Sequence, residues 1–419
     1  MRLALSFVFS LALSFVYGQQ YPYRQTISML CSPEYAGRGY VEDGRVLAAN
    51  FIAAEFQKIG LQPFKNKYQQ TFTLPVQTFP GACLFVLGSD TLKPGIDYLV
   101  HPGSAGVALP SSYQLVYCNT STLYRSVNAF KPCPKDRMLV VQTTGFGGDT
   151  NKVLQARLQE LQQFAATTEL TTNKLTWSVS QEAKPYPAFQ VVTTAFASKP
   201  QSAFIHLTTL FEPKFTSSNV IGYLPAANKP KQKPYLVVTA HYDHLGRMGS
   251  ETYFPGANDN ASGVGMLLYL AQELSRQRDS NFNYVFIAFG AEEAGLVGSH
   301  YFVEHPLFDL KQIRFLLNTD IMGSGEEGIT VVNATLFKSE FDKLKELNTE
   351  ANYLPQIKSR GPAANSDHYF FTESGVPAFF VYTMGPNKHY HDIADTAEEL
   401  SYAAFEPLAQ LLLSFMRSF

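Results

Sequence analysis

Charge is scarce in this chain, and none of it is concentrated. Charged side chains make up 16% of 419 residues and the formal net charge is −2. With no Lys/Arg block there is no electrostatic footprint for nucleic acid, and no such partner is expected. Cysteine is scarce too. Cys31, Cys83, Cys118 and Cys133 all lie in the first third, without C-x-x-C spacing. That argues against a zinc ribbon or a dithiol redox site. In an exported chain they can pair in three ways, with Cys118 and Cys133 favoured by proximity. Internal repeats and low-complexity tracts are absent. Hydrophobic residues reach 45%, a globular composition with neither a disordered nor a collagenous signature.

One apolar run stands apart, at the N-terminus. Arg2 supplies a positive start, Leu3 to Val16 an apolar stretch, and Val16-Tyr17-Gly18 a cleavage site. This pattern predicts a signal peptide over 1–18, with the mature chain starting near Gln19 and working outside the cytoplasm. The stretch is short for a bilayer span, and no other run approaches that length. No membrane attachment is expected after cleavage.

Apolar periodicity predicts a helix over Leu47 to Ile59, stopped by Gly60. From about Gln77 to Pro213 turn residues become frequent and short β-rich runs appear (Tyr113 to Tyr117, Met138 to Gln142, Phe189 to Val192), with one helical stretch from Lys152 to Ala166. This reads as an α+β insertion. Beyond Ser218 the pattern turns βαβα. Strands are expected at Tyr235 to Ala240, Tyr284 to Phe289, Arg314 to Leu317 and Pro377 to Tyr382. Helices are expected at Ala261 to Leu274, Leu296 to Phe302, Leu336 to Leu347 and Ala403 to Met416. Short, continuously apolar strands alternating with helices predict an α/β fold with a mostly parallel, mixed sheet covered on both faces. The expected division is 19–76 and 214–419 for that unit, with 77–213 inserted.

Acids and histidines stand at the ends of those strands, where ligands of such sheets gather. His241-Tyr242-Asp243 follows the first strand, and a histidine that ligates a metal through one ring nitrogen needs the other nitrogen held. Alone, H-x-D is a weak signal. Asp259 opens the next helix and reads by itself as an N-cap. Glu292-Glu293 follow the second strand; two adjacent glutamates cannot point the same way, so one can ligate while the other takes a proton. Asp320 ends the third strand and is a hard oxygen donor. In His389-Tyr390-His391 either histidine could ligate. Jointly these residues supply what a two-metal hydrolase needs, two ions roughly 3.5–4 Å apart that activate one water.

The runs TAHYDHLG, GANDNASGV, AFGAEEAGLVGS, NTDIMG, SDHYFF and YHDIADT resemble the co-catalytic zinc aminopeptidases, a family that also holds glutamate carboxypeptidases, glutaminyl cyclases and the transferrin-receptor ectodomain. The likeness covers about Asn219 to the C-terminus, with a fainter echo over Leu30 to Gln69. It implies two zinc ions held by His241, Asp259, Glu293, Asp320 and His391, with Asp259 bridging, His241 and Asp320 completing one site, and Glu293 and His391 the other. It implies Glu292 as general base, Asp243 as the group orienting His241, and Tyr390 as an oxyanion donor. The expected reaction is removal of N-terminal residues from peptide substrates. Segment 77–213 resembles, in texture and position, the protease-associated insert of some relatives, with a lid role as one expectation. A glutaminyl cyclase would lack the histidine that stands here as His241. A glutamate-releasing carboxypeptidase would need a basic group for the substrate carboxylate, for which Arg360 is the nearby candidate.

Overall fold

The computed structural model describes residues 20–279 and 281–419; the expected signal peptide lies outside them. Two large sheets dominate the chain. The first has nine strands, and its centre is four parallel strands in the order Asn283–Phe289, Tyr235–His241, Ile313–Thr319, Ala378–Met384. Leu210–Leu224 flanks them antiparallel on one side and Gly328–Val332 on the other. The expected α/β fold with a mixed sheet is met, although parallel pairing is confined to the centre and one edge and antiparallel pairings are as numerous.

Strand composition explains why it is buried on both faces. Leu236, Val238 and Ala240 alternate with Val237 along one strand and feed two different cores. On one face they meet Ile52 and Phe56 of helix Gly44–Ile59, Val264 and Leu268 of helix Ser262–Arg276, and Leu408 and Leu412 of helix Phe405–Arg417. Phe302 and Phe371 cover the opposite face. A strand with partners on both sides has no solvent-facing polar side, hence its largely apolar sequence.

Sheet order also fixes where a ligand can bind. From Tyr235–His241 the chain goes to Asn283–Phe289 on one side, then crosses to Ile313–Thr319 on the other. The carboxyl end of the His241 strand is thus a topological switch point, where flanking connections diverge and leave a crevice.

The second sheet has eight strands, drawn from Cys83–Leu87 through Ser202–Leu207. Its helix, Gly148–Leu161, packs Leu154, Leu158 and Leu161 onto Leu139 and Val141. The core of the second sheet also takes in Leu245, Met248 and Phe254, from the loop and short hairpin after His241, which meet Phe79, Phe85, Tyr98, Trp177 and Phe189. All four cysteines are free thiols, so the expected pairing of Cys118 with Cys133 is not formed, although both pack against one apolar cluster.

Candidate metal centre

Six side chains from five separate segments converge at the switch point, and one carboxylate organises them. Asp259 Oδ1 lies 3.3 Å from His241 Nε2, which is 3.4 Å from Asp320 Oδ1. Asp259 Oδ2 lies 3.2 Å from His391 Nε2, which is 3.1 Å from Glu293 Oε2. The two oxygens of one residue therefore face two separate donor pairs. Glu292 sits beside the first, with donor atoms of His241, Glu292 and Asp320 all within 4.8 Å of one another.

The spacing fits four-coordinate divalent ions. Bonds of roughly 2.0–2.1 Å place neighbouring ligand atoms of a tetrahedron about 3.3 Å apart. All four separations above lie close to that edge. The donor set, imidazole nitrogen with carboxylate oxygen and no thiolate, suits a borderline cation such as zinc. Asp320 Oδ1 is buried with no hydrogen-bond partner among the described residues, as expected of an oxygen meant for an ion.

Electrostatics point the same way. Burial opposes a proton on His391, but Glu293 and Asp259 outweigh it and hold its pKa at about 11. Burial likewise opposes protonation of His241, yet Asp320 and Glu292 raise its pKa well above the ordinary value. Burial pushes the Glu292 carboxyl well up; His241 works against this, and Asp367, Glu293 and Asp320 add to it. Two buried and two partly buried acids thus draw positive charge into the cluster, which a divalent cation supplies by displacing protons.

Surrounding groups fix each donor. His241 Nδ1 is 3.1 Å from the main-chain carbonyl of Asp243. The Asp243 carboxylate is farther, at 3.8 Å. It accepts instead from the Glu292 N–H at 3.0 Å, the Glu293 N–H at 3.2 Å and the Tyr40 hydroxyl at 2.8 Å. Asp243 therefore touches His241 through its backbone and holds the Glu292–Glu293 turn with its side chain. Asp259 does not cap its helix. Asn260 Oδ1 accepts from the Gly263 N–H at 2.9 Å, which leaves the Asp259 carboxylate to the histidines. The Asp395 carboxylate accepts from the Asn258 and Asp259 N–H groups and holds that turn. Gly256 starts the turn at φ +61, where an added Cβ would lie 2.3 Å from the Asp259 carbonyl oxygen.

His391 belongs to the cluster and His389 does not; His389 lies 3.8 Å from Glu399, away from the site. Tyr390 is half exposed, with its ring stacked on His391 at 3.9 Å. The cluster floors a cleft of about 310 Å³ that Ile321, Arg360, Asn365, Phe380, Tyr382 and Tyr390 also line. No residue of 77–213 lines it, so an insert acting as a lid over the cleft finds no support here.

Several residues outside the expected ligand set hold the site, His244 among them in the supporting role its motif suggests. His244 Nδ1 is 2.7 Å from Glu293 Oε1, and Trp177 O is 2.7 Å from His391 Nδ1. Arg38 is completely buried, and its guanidinium donates to the carbonyls of Leu30, Tyr242, Pro255 and Gly256. It thereby ties the loop after His241 to the turn before Asp259. Spacing gave no signal for these contacts, because most of the partners are dozens to hundreds of residues apart. Arg38→Met should keep the volume but strand the carbonyls. We expect a loss of about 3–5 kcal/mol, read as a lower urea midpoint; an unchanged midpoint would refute the bracing role.

Known proteins resemble this chain in sequence and in fold. Residues 219–416 match the sequence profile of peptidase family M28. The chain carries a peptidase family M28 domain. Aminopeptidase YwaD of Bacillus subtilis is 31% identical over 205 residues, 47% of this chain and 43% of that protein. A probable leucine aminopeptidase of Trichophyton verrucosum is 27% identical over 219 residues, 48% of this chain and 57% of that protein. The chain spans about half the length of the curated relatives it matches. In overall fold it is similar to BSAP, a zinc aminopeptidase from Bacillus subtilis, with a TM-score of 0.71, 20% identity and 96% of each chain covered. A peptidase M28 precursor from Shewanella amazonensis gives a TM-score of 0.71 at 14% identity, over 94% of this chain and 92% of that one. Both likenesses concern the fold.

Proposed function

We propose that this protein is a metallo-aminopeptidase that uses two zinc ions to remove N-terminal residues from peptides. The observation that carries the reading is Asp259, whose two oxygens face two donor pairs at 3.1–3.4 Å edges. His241 and Asp320 would hold one ion, Glu293 and His391 the other, with Asp259 shared. Bound there, the ions would polarise the scissile carbonyl and lower the pKa of water.

The chain's own groups do the rest. Asp243, gripping two backbone N–H groups, aims the Glu292 carboxylate beside His241 and Asp320. Glu292 takes the proton from the attacking water and delivers it to the leaving amine nitrogen. The Tyr390 hydroxyl, at the cleft edge, donates to the oxygen of the attacked carbonyl as negative charge grows on it. Segments 19–76 and 214–419 form the peptidase unit, with 77–213 inserted. The leader-like first 18 residues support export, and among the described residues no helix is long and apolar enough to cross a membrane.

One observation favours a second reading. Arg360 lines the cleft and donates to the Tyr382 hydroxyl at 3.2 Å, as a carboxypeptidase that grips a substrate carboxylate would require. The test is a panel of aminoacyl-anilides and N-blocked peptides, assayed with zinc and after chelation. Chelator-sensitive release from free N-termini is expected. Hydrolysis confined to N-blocked peptides with acidic C-termini, and lost in Arg360→Gln, would install the carboxypeptidase instead.

A further inference from the structure

The connection between strands Ala166–Thr171 and Ala188–Val192 of the second sheet lies outside the cleft, yet it grips both loops that carry the His391–Glu293 pair. Lys174 Nζ donates to the carbonyls of Lys388 at 2.5 Å and Tyr390 at 3.0 Å, and pairs with Asp392 Oδ2 at 3.1 Å. Trp177 and His391 are linked twice. The Trp177 N–H donates to the His391 carbonyl at 3.3 Å, and the Trp177 carbonyl is 2.7 Å from His391 Nδ1. Four residues on, Gln181 Nε2 donates to the carbonyl of Ala294, the residue after Glu293.

These contacts fall where the chain needs holding. His391 has φ +54 and Ala291, just before Glu292, has φ +60. Non-glycine residues in the left-handed region persist only where their surroundings over-determine them. Trp177 is itself anchored, its indole N–H donating to the Val100 carbonyl at 2.8 Å and its ring stacked on Phe254 at 4.7 Å. A carbonyl acceptor at Nδ1 sets the tautomer that leaves Nε2 free as the donor atom toward Asp259 and Glu293.

We propose that Lys174 and Trp177 are positioning residues through which the second sheet sets the metal affinity of the Asp259–Glu293–His391 half of the centre. The proposal rests on the two-zinc reading above. On this view the inserted sheet is a brace for one ion, and the His241–Asp320 half stands without it. Lys174 is the handle for a test because it is exposed, and its replacement opens no core. Trp177 is less suitable, since it contributes to the site through its main chain and fills the core of the second sheet with its ring.

The experiment is zinc titration of the metal-stripped full chain by calorimetry, with chelator-release kinetics. Wild type is compared with Lys174→Met, Lys174→Arg and the control Lys152→Met, which removes an exposed helix ion pair with Asp149. Melting temperature is followed in parallel. Lys174→Met should weaken one zinc by about 10–100-fold, the usual effect of removing a group that orients a ligand. The other zinc and the apo-protein melting temperature should stay near wild type, Lys174→Arg should recover most of the loss, and Lys152→Met should bind as wild type does. Equal weakening of both ions, or no change in either, overturns the proposal. Fewer than two ions in wild type overturns the two-zinc reading; Lys174 is then judged on the one ion present, which must weaken. No zinc binding by wild type overturns both.

Discussion

Glu292→Gln should lower kcat by about 10²–10⁴-fold, the contribution of one positioned acid–base group, while zinc content stays at the wild-type level. Glutamine matches the shape of glutamate and keeps its main-chain N–H on Asp243, but it cannot accept the proton of water. Stability should move the other way. Burial and the neighbouring acids make a charged Glu292 unfavourable in the fold, so a neutral amide relieves a cost of the native state. A variant that melts higher and turns over far more slowly would show a group kept for chemistry at the expense of stability. Parallel loss of activity, zinc and melting temperature would mean that Glu292 is a structural ligand instead. Metal-loaded wild type should also lose kcat as pH falls through the pKa of this base, with the limb absent in the variant.

The fold was legible where pattern and burial coincide. The strands ending in His241, before Glu292 and before Asp320 are largely apolar because two cores claim their alternate residues. Leu210–Leu224 was not legible. Pro213, Lys214 and Thr216 to Asn219 interrupt its pattern, and it serves as an antiparallel partner to both Gln69–Thr78 and Asn283–Phe289. Gly328–Val332 is short and pairs antiparallel with Ala378–Met384, outside the βαβ rhythm that exposed the others. The convergence of His241, Asp259, Glu292, Glu293, Asp320 and His391 could be anticipated, since parallel strands deliver their C-terminal ends to one crevice. Local sequence could not decide between His389 and His391, because the choice is made 214 residues away, where Trp177 receives the His391 ring. Nor could it show that Asn260 takes the capping role and frees Asp259.

Asp259→Asn should cost both ions at once, and that sets it apart from every other ligand change. Asp320→Asn removes a donor from the His241 side only, and Glu293→Gln from the His391 side only. Each should leave one tight zinc. The Asp259 carboxylate has an oxygen in each half, so an amide there replaces an anionic oxygen with a neutral one on one side and with an N–H₂ donor on the other. Two cations about 3.5–4 Å apart would repel each other, and the shared anion would offset this. Titration of the metal-stripped variant should find no tight zinc, with hydrolysis falling to that of chelated wild type. Folding should suffer less, because Asp395 still receives the N–H groups of residues 258 and 259 and Arg38 still gathers the surrounding carbonyls. One zinc retained at wild-type affinity in Asp259→Asn would mean that the halves are independent, and the bridging assignment would be wrong.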